Sequence, residues 1–141
     1  MKKFLILFVF LGMIAGITIG MAQKKVPVKS DPKVLVYYFH PNDRCPIDQS
    51  IEANTINVMK SFFSKETGNG TIDFKVINTD DNANAKITAK FDINAQALYI
   101  VKLEKGKEIR KDLTRFAFDY GQSNPGKFKA GLKSEIEIAL K

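Results

Sequence analysis

The chain has 141 residues, one Cys, one His and no Trp, and its 22 Lys and Arg against 15 Asp and Glu give a net charge of +7. A single cysteine excludes an internal disulfide framework and any all-cysteine zinc or iron–sulfur site; a single histidine excludes a two-histidine metal motif. The length suits one domain.

Lys2 and Lys3 precede a nearly unbroken apolar run from Phe4 to Ile19, and Gly20-Met21-Ala22 then places small residues ahead of polar Gln23. That is the order of a secretory signal over residues 1–22, and it predicts an extracytoplasmic chain, periplasmic or secreted, cut after Ala22. The alternative is an uncleaved N-terminal membrane anchor. Sixteen helical residues would span about 24 Å, short of a hydrocarbon core of roughly 30 Å. Cleavage removes two lysines and lowers the charge from +7 to +5. Basic and acidic residues are interspersed over the rest, which reads as a solvated surface with no basic stripe for nucleic acid. Residues 23–32, with Lys24, Lys25, Pro27, Lys29 and Pro32, read as an extended leader before a domain over 33–141.

Val34 to Phe39 is six consecutive apolar residues, rich in β-branched and aromatic types, and predicts a central strand covered on both faces. A turn over His40-Pro41-Asn42-Asp43-Arg44 leads to a helix in which Pro46 takes the first position, Cys45 the N-cap and Asp48 the N3 site. Ile47, Ile51, Thr55, Val58/Met59 and Phe62/Phe63 form its apolar stripe, and Gly68-Asn69-Gly70 ends it. Thr71 to Asn78 alternates as a strand, with Ile72, Phe74 and Val76 on one side and Asp73 and Lys75 on the other. Asp80, Asp81 and Asn82 cap a short helix carrying Ala83, Ile87 and Phe91. A third strand follows over Ala97 to Leu103, and Glu104-Lys105-Gly106-Lys107 turns it into a weaker fourth near Glu108 to Lys111. Residues 113–126, with Phe116, Phe118 and Tyr120, read as a packed connector. Asn124-Pro125 starts a last helix with Phe128, Leu132, Ile136 and Leu140 four apart.

The order is β-α-β-α-β-β-α. A helical crossover makes the first two strands parallel, and the Lys105-Gly106 hairpin makes the last two antiparallel. The expected fold is α/β: a mixed four-stranded sheet with helices on both faces. Sites in such sheets gather at the carboxyl ends of strands, where the first helix begins.

A lone Cys at that helix N-terminus, on this element order, resembles a minimal thioredoxin-like fold. The stretch Val36-Tyr37-Tyr38-Phe39-His40, then Arg44-Cys45-Pro46-Ile47-Asp48 and Ile51-Glu52-Ala53, resembles the exported ArsF-type (nitrophenyl compound nitroreductase subunit) family, whose members read Tyr-Tyr-Phe-His, Arg-Cys-Pro-x-Cys and Ile-Glu. The resemblance spans residues 33–140, and its specific part about twenty of them. It implies that Cys45 stands at the attacking thiol, whereas the resolving position holds Asp48. It also implies a cis-proline before the third strand. This chain has no proline between Pro46 and Pro125, and Ala97 or a neighbour stands there. A complete dithiol–disulfide cycle within one chain is therefore excluded. For members with both cysteines the resemblance implies a protein partner, a membrane-embedded thiol redox protein.

Two readings of Cys45 stand at this point: a monothiol that forms mixed disulfides, and an inert N-cap. The helix N-terminus and Arg44 favour the thiolate, and Asp48 opposes it. Asp48 has a structural account as the N3 carboxylate that bonds back to the N-cap amide. His40, at the strand end, reads as a turn histidine satisfied by backbone, against the alternative of a Cys/His nucleophile pair. Asp80, Asn82 and Asn84 have calcium-loop spacing, but Ala85 and Phe91 replace the loop's Gly and Glu, so they read as cap and turn. Asn69-Gly70-Thr71 matches a glycosylation acceptor and is first of all a turn. No cofactor or metal is expected. The expected function is a binding or accessory module of an extracytoplasmic redox system. The alternative is a monothiol thiol–disulfide oxidoreductase using an external thiol. An oxidising compartment also allows a disulfide-linked homodimer through Cys45.

Overall fold

The computed structural model describes residues 31–141. The predicted signal and most of the leader lie outside the described residues. Strands β1 (Val34–His40), β2 (Ile72–Asn78), β3 (Ala97–Glu104) and β4 (Lys107–Asp112) form one sheet in the order β2-β1-β3-β4. β1 runs parallel to β2 and antiparallel to β3, and β3 and β4 form the hairpin. This is the α/β arrangement of a minimal thioredoxin-like fold, with helices on both faces.

β1 holds the centre because both its faces are apolar. Val34, Val36 and Tyr38 join a core with Ile51, Val58, Leu98, Ile100, Phe128, Leu132 and Ile136, beneath α1 (Pro46–Phe62) and α5 (Pro125–Leu140). Leu35, Tyr37 and Phe39 face the other way, onto Ile77, Ala97, Val101 and Phe91 of α3 (Ala85–Phe91). The rings of Tyr37, Phe39, Phe91 and Tyr99 meet there edge-on or tilted, with centroids 5.2–6.3 Å apart, and the Arg110 guanidinium lies 4.1 Å over Phe91. At the hairpin, Lys105 (φ 51°) and Gly106 (φ 77°) both take the left-handed conformation that a two-residue turn between twisted strands requires.

Two elements differ from the sequence expectation. The first helix breaks at Phe63, whose buried ring joins the core, and resumes as α2 (Ser64–Gly68). Residues 113–126, expected as a connector, hold a two-turn helix, α4 (Thr114–Tyr120). Asp112 starts it by accepting from Thr114 N at 2.8 Å. Its Phe116 ring stacks on Phe128 at 5.8 Å. Aromatic and β-branched residues are indifferent helix formers, so packing on α5 stabilises this helix more than propensity does. The remaining bounds shift by one or two residues. Among the described residues no helix is long and apolar enough to cross a membrane.

α4 ends at Gly121, where no side chain fits. A Cβ there would lie 2.5 Å from Ile51 Cγ1 and 2.6 Å from the Ala117 carbonyl, while Asn54 Nδ2 donates to the Gly121 carbonyl at 2.9 Å. Ile51 is itself fully buried and cannot retreat. Gly121→Ala should lower stability by about 1–3 kcal/mol, the usual cost of overpacking, read as a reduced urea midpoint with an unchanged slope.

Candidate functional site

The site lies at the carboxyl end of β1. Its turn is pinned to the turn after β2: Asn42 N donates to Asp80 Oδ2 (2.7 Å), Asn78 Nδ2 to Asn42 Oδ1 (2.7 Å), and Thr79 N to the His40 carbonyl (2.8 Å). Asp80 thus serves the turn. Asp81 caps a short 3-10 turn over Asn82–Asn84 by accepting from Ala83 N (2.9 Å). Among the described residues no group of three His, Cys, Asp or Glu side chains is placed to hold a metal ion.

Cys45 is the N-cap of α1, with extended backbone at φ −83°, ψ 165°, and Pro46 follows at the first helical position. Its thiol is exposed. The N-cap and N3 residues form a capping box whose carboxylate half is the strong one, because sulfur is a weak acceptor. Cys45 N donates to Asp48 Oδ2 at 3.1 Å.

Asp48 is 0% exposed. Its Oδ2 also receives Gln96 Nε2 at 2.6 Å, while Oδ1 is buried with no partner. A buried carboxylate tolerates dehydration only where donors replace water. Here two donors meet at one oxygen, one from the helix N-terminus and one from the segment before β3. Tyr38 Oη donates to the Asp48 backbone carbonyl at 2.9 Å and so ties β1 to the same turn.

Arg44, expected as a positive neighbour of the thiol, has its charge engaged elsewhere. Its guanidinium pairs with Glu52 one turn into α1, and Nη2 approaches the Asp48 carbonyl at 3.5 Å. His40 lies half-buried. Nδ1–H donates to the Pro41 carbonyl at 2.9 Å, and the ring stacks near Tyr38 with centroids 6.1 Å apart. It makes no hydrogen bond to Cys45, so these residues do not form a Cys/His pair.

Ala97 or a neighbour is the residue expected at the position before the third strand. The Ala97 side chain is buried with Phe39, Phe91 and Val101 on the sheet face opposite α1, because alternation along β3 turns it away from the site. The preceding residue, Gln96, reaches Asp48. No cis peptide bond occurs among the described residues. Gln96 and Glu52 are the site residues that sequence reasoning missed. The only signal for Gln96 was its place just before β3. Glu52 lay within the Ile-Glu motif without a partner to give it a role.

No protein-family model matches the chain, and no curated protein matches it in sequence. It is similar to the solved structure of a malarial protein, at 17% identity over 62% of this chain and 93% of that one, with a TM-score of 0.40. That likeness is too slight to carry an argument.

Burial holds the Tyr38 phenol well above its ordinary value of 10.0, and the Asp48 carboxylate adds to the rise while Arg44 opposes it. The folded state therefore keeps this proton where the unfolded chain releases it. The resulting stability is whole below pH 10 and declines as pH rises beyond it. Tyr38→Phe should cost about 1 kcal/mol at neutral pH through the lost hydrogen bond and should flatten the alkaline decline in denaturant titrations. Tyr37 and Tyr99, also raised chiefly by burial, retain their part of the slope.

Proposed function

We propose that the chain is an exported thioredoxin-like protein, akin to the ArsF-type nitroreductase subunits, that serves as a binding or accessory module of an extracytoplasmic redox system and is not a dithiol oxidoreductase. The observation that carries this reading is Asp48. The position from which a second thiol would resolve a mixed disulfide holds a fully buried carboxylate, bonded to Cys45 N and Gln96 Nε2. That group cannot attack a disulfide as a thiolate does; it tightens the turn. Arg44 is paired with Glu52, and His40 with the Pro41 carbonyl. Among the described residues neither Arg44 nor His40 bonds to the thiol, and the Asp48 carboxylate is turned to Cys45 N and Gln96. The fitting partner is a protein, with a membrane-embedded thiol redox protein as the one that the family resemblance implies.

A specific observation favours the second reading. The Cys45 thiol is exposed at a helix N-terminus, where a monothiol can act without a resolver. In that reaction Cys45 Sγ attacks one sulfur of a partner disulfide, the other sulfur leaves as a thiolate, and an external thiol then displaces Cys45 to restore it. The alkylation rate of Cys45 by iodoacetamide, followed from acid to mildly alkaline pH, separates the two. The accessory reading expects a rate no faster than that of free cysteine at each pH, with partner capture intact in Cys45→Ser. Faster reaction at neutral pH, with capture lost in that variant, would install the monothiol reading. A gel run without reductant tests a Cys45-linked dimer, whose band Cys45→Ser abolishes.

The geometry of the turn is testable separately. Cys45 at the N-cap and Asp48 at N3 occupy the two ends of a Cys-x-x-Cys spacing. Asp48→Cys should therefore close an intramolecular disulfide on mild oxidation, seen as the loss of two hydrogen masses and of thiol reactivity. Failure to close would reject the thioredoxin-type site geometry.

A further inference from the structure

Among the described residues β2 is an edge of the sheet, and its charged side chains are one of each sign, Asp73 and Lys75. It runs over Ile72–Asn78 in unbroken register with β1, with no proline, glycine or bulge. Such an edge is a template for another strand. The opposite edge, β4, is exposed at every residue and carries Lys107, Glu108, Arg110, Lys111 and Asp112.

The backbone parity of β2 is fixed at both ends. The Thr71 carbonyl accepts from Lys33 N (2.8 Å), and Thr79 N donates to the His40 carbonyl (2.8 Å). Odd-numbered residues therefore turn their backbone groups toward β1, and alternation turns those of Ile72, Phe74 and Val76 outward. The Asn78 carbonyl, of the same parity, accepts from Asn84 Nδ2 (2.9 Å) instead of from β1.

We propose that β2 pairs with β2 of a second copy, antiparallel about a two-fold axis at Phe74, joining the two sheets into one. A two-fold normal to the sheet keeps each face on its own side, so some residue near the axis must face itself or sit symmetrically about it. An axis at Asp73 or Lys75 sets like charges opposite each other, which is unfavourable. With the axis at Phe74, Asp73 faces the partner's Lys75 and Lys75 faces the partner's Asp73. On the other face Ile72 meets the partner's Val76, and the two Phe74 rings meet at the centre. Every outward N–H and C=O of Ile72, Phe74 and Val76 finds a mate in this register. Val76, 37% exposed in the single chain, becomes covered. A cleft of about 430 Å³, lined by Ile56, Met59, Ile72 and Phe74 and by the polar Lys60, Ser64 and Asp73, adjoins this face and gives the partner's side chains a seat.

The arrangement is independent of the reading of Cys45. β1 runs parallel to β2 and Cys45 follows its carboxyl end, so the two-fold sets the two thiols at opposite ends of the joint sheet, far from a mutual disulfide.

Sedimentation of the protein as cells produce it, under reducing conditions and across micromolar concentrations, tests the pairing. The wild type should sediment as a dimer. Lys75→Asp opposes acid to acid and Asp73→Lys opposes base to base, so each alone should fall to monomer mass with an unchanged circular-dichroism spectrum. An equimolar mixture of the two should recover the dimer, because each acidic strand then faces a basic one. The intrachain Asp73–Lys75 ion pair (2.9 Å) cannot produce that recovery. Val76→Pro, which removes an outward N–H that the pairing uses, should lower the mass by a separate route. A monomeric wild type, which leaves the edge to the chain's own leader or to another protein, overturns the proposal. So do charge variants and Val76→Pro that all stay dimeric, or a mixture that stays monomeric.

Discussion

β1 is buried on both faces, with Val34, Val36 and Tyr38 beneath α1 and α5, and Leu35, Tyr37 and Phe39 against α3. A strand of that kind cannot lie at an edge or leave one side to water without exposing several large apolar side chains. The helical crossover to β2 supplies one neighbour and the antiparallel return of β3 supplies the other. Helices must then cover each face. With β1 central, the first helix begins at the middle of the sheet's carboxyl edge, and Cys45 stands at that helix's N-terminus. The position of the thiol follows from the hydrophobicity of a strand that does no chemistry.

Asp48 shows how one replacement changes what such a position does. A carboxylate at N3 satisfies an N-cap amide that otherwise lacks a partner in the helix. Because α1 packs its first turn against Tyr38 and the segment before β3, the same side chain is dehydrated and needs a second donor. Gln96 supplies it at 2.6 Å. The turn, the central strand and the segment before β3 thereby become one bonded unit around the thiol. Arg44, which in isolation would lend the sulfur a positive neighbour, is drawn instead to Glu52. The surroundings of Cys45 are accordingly organised for rigidity, and the thiol itself remains at the surface.

Much of this was legible from pattern alone. Six apolar residues in a row, clean alternation over Thr71 to Asn78, Pro46 after Cys45, Asn124 before Pro125 and the Lys105-Gly106 turn each carry a local physical cause, so the elements that they announce were readable within a residue or two. α4 was not legible. Its Phe116, Phe118 and Tyr120 have no strong helical preference, and Phe116 is placed by stacking on Phe128, a residue of another helix. The break at Phe63 was hidden for a related reason: the periodic stripe continues through it, and only the core decides that its ring turns inward.

Within the site, the sequence by itself determined the N-cap, the N3 carboxylate and the absence of a second sulfur, because capping is a relation between residues three apart and cysteine is a matter of counting. Tertiary structure decided which distant groups meet them. Gln96 lies 48 residues beyond Asp48, and nothing local distinguishes it from Ala97, whose side chain β3 turns into the opposite layer. That choice rests on strand parity and sheet order. Both are set when the chain closes around β1, and neither can be read from a residue and its near neighbours.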